Sequence, residues 1–161
     1  MLDVACGRGR HLRWFAAHGH PVTGVDRDVD AIRELAQFGE IIAADIETGP
    51  WPFAGRAFAG VVVTNYLWRP LLPAIVQSVA PGGVLIYETF AAGNETVGKP
   101  SRPDFLLQPG ELLAACREMG VVAYESGFLD AAPRFVQRVA AVRHGPGEGP
   151  ARYPLAPLTR A

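Results

Sequence analysis

Lysine is almost missing from this chain of 161 residues: Lys99 stands alone, and the other cationic side chains are arginines scattered along the sequence. That scatter reads as a usage bias, not a basic stripe. With a formal net charge of -1, the chain lacks the field that draws a protein to a phosphate backbone, so nucleic acid is not an expected partner. Cysteine is scarce too. Cys6 and Cys116 lie far apart without metal-type spacing, which argues against a disulfide framework or a zinc site, and no metal is expected. No apolar run approaches the ~20 residues of a membrane span and no signal peptide is visible, which makes the cytoplasm the expected location.

What remains is the balance of an ordinary soluble domain, with 49% hydrophobic and 19% charged residues, enough to bury one core. Strand and helix signals alternate with little slack. That is the pattern of an α/β fold with a Rossmann-like, doubly wound, mostly parallel sheet and helices on both faces. Leu2 to Val4 reads as a buried strand, followed by a glycine turn and a helix bearing Leu12, Phe15 and Ala16 that stops at Gly19. Val22 to Val25 is a second strand ending at Asp26. Asp28 or Asp30 then caps a helix whose expected buried stripe is Val29, Ile32, Leu35 and Ala36.

Ile41 to Ala44 is a third strand ending at Asp45, and a Pro/Gly-containing loop runs from Ile46 to Ala57. Phe58 to Thr64 is a central strand, since Val61-Val62-Val63 suits burial on both faces. Pro70 opens a helix carrying Leu71, Leu72, Ile75, Val76 and Val79, which Pro81-Gly82-Gly83 breaks before a strand from Val84 to Tyr87 ends at Glu88. Ala91 to Gln108 has no periodicity and reads as a lid-like loop. Pro109 opens a helix with Leu112, Leu113, Cys116 and Met119. Val121 to Phe128 and Phe135 to Val142 are spaced to pair antiparallel. The domain is expected over residues 1–143 and a flexible Gly/Pro-rich tail over 144–161.

Ligands in open α/β sheets bind outside the carboxyl ends of the strands. Those ends carry Cys6-Gly7, Asp26, Asp45, Asn65-Tyr66 and Glu88. Each has an ordinary reading as a helix cap or solvated loop residue, and their joint occurrence points to a shared site. Asp26 can accept hydrogen bonds from both hydroxyls of a ribose, and Asp45 from an adenine amino group, with Ile46 against the ring face. A strand, glycine turn and helix with such an acid suits a dinucleotide or S-adenosylmethionine. The dinucleotide fingerprint wants a third Gly or Ala where Leu12 stands, and Asp3 inside the motif suits an ammonium group better than a diphosphate. Both features favour S-adenosylmethionine.

At this point the sequence resembles the class I S-adenosylmethionine-dependent methyltransferases. Leu2-Asp3-Val4-Ala5-Cys6-Gly7-Arg8-Gly9-Arg10-His11 is similar to their first motif, Val22-Thr23-Gly24-Val25-Asp26 to the second strand with its ribose-binding acid, Ala44-Asp45-Ile46 to the adenine turn, and Val79-Ala80-Pro81-Gly82-Gly83 to the segment before the fifth strand. The region of His11 is similar to small tellurite-resistance-type methyltransferases. The resemblance implies about seven strands with the last antiparallel. It carries cofactor roles onto Asp3, Gly7, Gly9, Asp26, Asp45, Ile46 and Asn65, and the adjoining Ala5, Cys6, Arg27 and Tyr66 complete the expected cofactor-binding set.

Two departures stand out. The helical segment that the family places before its first strand has no counterpart, because Met1 abuts that strand, and the chain is expected to be a fragment or a late start. The Asn/Asp-Pro-Pro-Tyr/Phe pattern of many amino-group methylases is replaced by Asn65-Tyr66-Leu67-Trp68.

Glu88, Tyr66 and His11 are the expected catalytic residues, able to position or deprotonate an acceptor near the strand ends. For Glu88 the ordinary alternative is pairing with an arginine. Tyr87, also near the strand ends, reads equally as a residue that positions the acceptor and as core, because strand alternation places it opposite Glu88. Trp51, Phe53, Tyr66 and Trp68 suit either a substrate pocket or an apolar cover, and Lys99 and Arg102 belong to the loop expected to shape the acceptor pocket. The expected partner is a small-molecule substrate, and the oligomeric state is open. Competing readings are a catalytically inactive binding protein on the same fold and a nicotinamide-dependent oxidoreductase, which rests only on the glycine turn.

Overall fold

The computed structural model describes residues 1–145, 147, 152 and 153. The tail expected over 144–161 therefore falls largely outside the described residues. The strands are β1 (Leu2–Val4), β2 (Thr23–Asp26), β3 (Glu40–Ala43), β4 (Phe58–Thr64), β5 (Val79–Phe90), β6 (Gly120–Leu129) and β7 (Arg134–Val142), and the α-helices are α1 (Arg10–Ala17), α2 (Val29–Ile32), α3 (Leu72–Gln77) and α4 (Glu111–Ala115). They form one seven-stranded sheet of order β3-β2-β1-β4-β5-β7-β6. β3, β2, β1, β4 and β5 run parallel, and β7 enters antiparallel between β5 and β6. The expected class and the antiparallel last strand are both present.

The two faces of the sheet are covered unequally. Val4, Val61, Val63, Leu85, Tyr87, Val139 and Ala141 belong to the major core, with Ile75 of α3, Leu112 and Cys116 beside α4, and Phe53. Each large apolar side chain buried there contributes about 1.5–3 kcal/mol. On the other face Cys6, Ile32 and Leu35 form a small cluster near α1 and α2. Ile86, which is in register with Val62 and Asp3, is 42% exposed. Helices on that face cover the β1–β2–β3 side and leave β5 open.

Several sequence expectations are corrected by this packing. The helix after Asp28 is one α-turn, Val29–Ile32, continued by a 3-10 segment Arg33–Gln37. Ile32 and Leu35 are buried, but Val29 is 57% exposed and Ala36 is exposed as well. Leu35 reaches down to Gly9, where an added Cβ would lie 2.6 Å from its Cδ2, and the tighter 3-10 turn accommodates that descent.

Val79 opens β5 and is not part of α3, and Pro81-Gly82-Gly83 lies within β5 at an irregularity opposite Phe58 and Gly60. Gly82 (φ 74°) donates its N–H to Arg143 O at 2.7 Å, so the bulge extends pairing to the end of β7. The helix expected to carry Leu112, Leu113, Cys116 and Met119 is only Glu111–Ala115, with Leu112 buried and Leu113 38% exposed.

The segment 91–108 is tied down rather than loose. Ala92 N–H donates to Leu107 O and Leu107 N–H to Phe90 O, both at 2.9 Å. Buried Asn94 donates from Nδ2 to Pro100 O (2.9 Å) and accepts from Phe135 N–H at Oδ1 (3.2 Å). Arg69 donates to Asp104 O and Leu106 O at 2.8 and 2.7 Å, and doubly to the Glu111 carboxylate. Trp51 and Phe53 serve as cover: Trp51 Nε1 donates to Ser78 Oγ (3.2 Å), and Ser78 O accepts from Phe58 N–H at the entry of β4. That is the opposite end of the strand from Asn65 and Tyr66.

Candidate active site

The carboxyl edge of the sheet is built by strands that leave it in unusual backbone conformations. Ala5, just past β1, has φ 52°, and Asn65, just past β4, has φ 54°. Left-handed non-glycine residues cost of order 1–3 kcal/mol each and cluster where the surrounding structure needs them. Gly7 follows at φ 51° and Gly9 at φ 71°. Nothing within 4 Å would meet a Cβ on Gly7, so the turn is open on that side. Cys6 N–H donates to Val25 O at 3.0 Å, and Gly7 N–H donates to Asp26 Oδ2 at 2.7 Å. Asp26 Oδ1 accepts from Asp28 N–H at 2.9 Å. The aspartate thus locks the glycine turn to the end of β2. A carboxylate has about four lone-pair sites, so acceptor capacity is left for a ligand.

Asp45 follows β3, and its Oδ1 accepts from the N–H groups of Glu47 (2.9 Å) and Thr48 (3.4 Å). These bonds, led by that from Glu47, hold its carboxyl below the usual range. Asn65 N–H donates to Glu88 O (3.0 Å), and Tyr87 Oη donates to Tyr66 O (2.9 Å), so β5 fixes the turn after β4 from both sides.

A cavity of about 250 Å³ lies between these elements, lined by Ala5, Asp26, Arg27, Ala44, Asp45, Ile46, Glu47, Asn65 and Tyr66. A second, of about 280 Å³, shares the Glu47, Asn65 and Tyr66 wall and continues to Leu67, Thr89, Phe90, Pro100 and Phe105 beneath the 91–108 segment. A larger groove of about 450 Å³ between α3 and α4, lined by Arg69, Glu111, Arg117 and Arg143 among others, includes none of the strand-end residues. Its size alone does not make it the site.

Of the expected cofactor-binding residues, Ala5, Asp26, Arg27, Asp45, Ile46, Asn65 and Tyr66 line one cavity, while Asp3, Cys6, Gly7 and Gly9 do not line it, although Gly7 is bonded to Asp26. Asp3 is 5% exposed, and its Oδ2 accepts from Leu12 N–H at 3.1 Å. Burial, opposed by that bond and reinforced by the Asp26 charge, pushes its carboxyl up to about 7. Burial, with the charges of Asp3 and Asp26, pushes the Cys6 thiol up to about 12 and keeps it protonated. Glu47 and the wall formed by Leu67, Phe90, Pro100 and Phe105 were not singled out as site residues from sequence. The signals that could have found them are the place of Glu47 two residues beyond Asp45 and that of Pro100 and Phe105 within the 91–108 loop.

The three expected catalytic residues separate. Tyr66 lines both cavities, and its hydroxyl is buried without a hydrogen-bond partner. Burial, then the charges of Glu47 and Asp45, raise its pKa well above the usual phenol. Glu88 lies on the opposite face of β5 from Thr89, with Arg134 at 3.6 Å and Arg138 at 3.5 Å. His11 stands on the Glu88 side, with Nδ1 3.5 Å from Thr64 Oγ1, and burial and Arg10 lower its pKa against the opposing pull of Glu88. Lys99 and Arg102 are exposed and do not line either cavity.

The site fits S-adenosylmethionine on its own geometry: an open glycine turn, acids after β2 and β3, an apolar wall at Ile46 and an orphaned buried hydroxyl. Fold and site together define the class I S-adenosylmethionine-dependent methyltransferases. The chain belongs to the methyltransferase domain family, whose model matches residues 1–83.

The chain is 32% identical over 103 residues to malonyl-[acyl-carrier protein] O-methyltransferase from Serratia marcescens, a match spanning 58% of this chain and 39% of that relative's length. Among solved structures it is similar to TehB from Haemophilus influenzae (TM-score 0.69, 17% identity, 88% of this chain and 57% of that one). It is also similar to the N-methyltransferase NodS from Bradyrhizobium japonicum (TM-score 0.67, 17% identity, 89% and 85%). A third likeness is to a 16S rRNA (adenine(1408)-N(1))-methyltransferase variant from Catenulisporales acidiphilia (TM-score 0.61, 19% identity, 91% and 86%). At these identities the structural likenesses speak to the fold. No helix among the described residues is long and apolar enough to cross a membrane.

Proposed function

We propose that this domain transfers a methyl group from S-adenosylmethionine to a small-molecule acceptor. The observation that carries the reading is the strand-end cavity, where Asp26, Asp45 and Ile46 converge with the unpartnered Tyr66 hydroxyl. When bound, the cofactor supplies a methyl already activated by its sulfonium. The protein's own work is then alignment and exclusion of water.

Asp26 binds the ribose hydroxyls while holding Gly7 in place. Asp45 and Ile46 take the base by its amino edge and its face. Asp3, buried beneath the first turn of α1, offers a carboxylate to the amino-acid end. Arg27 and Asn65 close the rim. Tyr66 stands where the two cavities meet and orients the acceptor. Glu88, engaged by Arg134 and Arg138, acts as an ion-pair anchor between β5 and β7, and His11 lines the same side. The net charge of -1 supports a small acceptor over RNA.

Titration calorimetry with S-adenosylhomocysteine tests the reading. Binding is expected for the wild-type chain, with at least tenfold weakening in Asp26→Asn. The absence of heat at millimolar ligand with a folded chain would overturn it.

A further inference from the structure

We infer that the cavity beneath the 91–108 segment is the acceptor subsite, and that it takes an uncharged, ring-sized group carrying one hydroxyl or amine. The inference rests on the cofactor reading above, because the subsite is identified by its shared wall with the strand-end cavity.

Size comes first. At about 280 Å³ the cavity lies near the lower bound of about 300 Å³ for small-molecule sites. A dry apolar cavity of about 150 Å³ is already enough for benzene, so this space has room for one ring with a substituent.

Chemistry comes second. Leu67, Phe90, Pro100 and Phe105 give the subsite apolar walls, and no arginine or lysine among the described residues lines it. Apart from Tyr66, Glu47 is the one ionisable side chain on the wall, and it is negative. A carboxylate or phosphate entering here would lose its hydration without a cation to replace it, against a like charge. Tyr66 stands on the wall shared by the two cavities, and its hydroxyl, buried and without a partner among the described residues, can both donate to and accept from a ligand group at that seam. A buried hydroxyl left unpaired costs about 1–3 kcal/mol, which a ligand hydroxyl or amine would relieve.

Rigidity comes third. Asn94 holds Pro100 through its carbonyl, and Arg69 holds the carbonyls on either side of Phe105. The outer wall therefore stands in place without a ligand, and binding is not burdened by ordering a loop.

The test measures binding rather than turnover. Phenol and aniline are compared with benzoate and phenyl phosphate by saturation-transfer NMR and titration calorimetry, each with and without saturating S-adenosylhomocysteine. Phenol and aniline are expected to bind at least tenfold more tightly than either anion. Phe105→Trp, which fills the cavity, should abolish their binding while S-adenosylhomocysteine still binds. Phe105→Ala, which only widens a half-buried rim, should weaken them severalfold.

Benzoate or phenyl phosphate binding as tightly as phenol would overturn the inference. So would failure of phenol and aniline to bind a chain that holds S-adenosylhomocysteine, or equal phenol binding in wild type and Phe105→Trp. Phenol binding that Phe105→Trp removes, in a chain that does not take S-adenosylhomocysteine, would overturn the cofactor reading and leave the ring-binding cavity standing.

Discussion

Replacing Asp3 by asparagine should make the folded chain more stable at pH 8 and leave it nearly unchanged at pH 4. The folded-state carboxyl sits at about 7 against an ordinary 3.8, chiefly because it is buried. Well below pH 3.8 both folded and unfolded chains hold the proton and the group contributes nothing, and at pH 4 its effect is still small. Between those values the unfolded chain ionises first and stability falls as the pH rises. Above about 7 both states are charged and the full cost is present. A separation of about 3 pH units at ~1.36 kcal/mol each gives a ceiling of about 4 kcal/mol.

Asparagine keeps an acceptor for Leu12 N–H and has no charge to desolvate. Urea unfolding at pH 4, 6 and 8 should therefore show a gain for Asp3→Asn that appears only as the pH rises. Half the ceiling, about 2 kcal/mol, would raise Tm by roughly 4–8 °C at this chain length. If the carboxylate is kept for the cofactor's ammonium, S-adenosylhomocysteine affinity should also rise between pH 6 and 8 in wild type and stay flat in the variant. A variant that is equally or less stable than wild type at pH 8 would refute the reasoning.

Gly9→Ala should destabilise by about 1–3 kcal/mol through overpacking, because its Cβ would meet Leu35 Cδ2 at 2.6 Å in a left-handed backbone; thermal unfolding reads this directly. Tyr87→Phe removes the hydroxyl that holds Tyr66 O and should cost about 1 kcal/mol, with severalfold weaker S-adenosylhomocysteine binding by calorimetry. Glu88→Gln should lower stability by no more than about 1 kcal/mol, as expected of a partly exposed ion pair, and leave kcat within about threefold. A tenfold or greater fall in kcat with folding intact would return Glu88 to the acceptor chemistry.

The sheet was legible because its strands are short apolar runs that end in a glycine or polar residue, and Val61 to Val63 announces a strand buried on both faces. The strand-end rule likewise found Asp26, Asp45, Asn65 and Tyr66 before their cavity was visible. Helix lengths were not legible in the same way. Leu35 is drawn toward Gly9 by tertiary packing, and no local pattern says that α2 must tighten to reach it. The 91–108 segment eluded reading for another reason: its order comes from hydrogen bonds made by Asn94 and Arg69 to distant carbonyls, which leave no period in the sequence. A pocket beneath that segment was expected, but its lining by Pro100 and Phe105 in place of Lys99 and Arg102 was hidden with the segment's order. The carboxylate of Glu88 carried two readings from the start, and Arg134 and Arg138, supplied by a hairpin some fifty residues on, are its partners.

The unequal covering of the sheet gives the layers on its two faces different local stabilities. The major core ties β4, β5 and β7 to α3 and α4, whereas the cluster beneath α1 and α2 is built on Cys6, Ile32 and Leu35. Cooperative units with little buried apolar surface open at lower free energy. The glycine turn, α1 and α2 should therefore exchange their amide hydrogens ahead of the central strands, and a ligand bridging Asp26, Asp45 and Asn65 would close that gap by joining the weaker unit to the stronger one. Cofactor uptake should then steady α1 and α2, the layer with the least apolar backing.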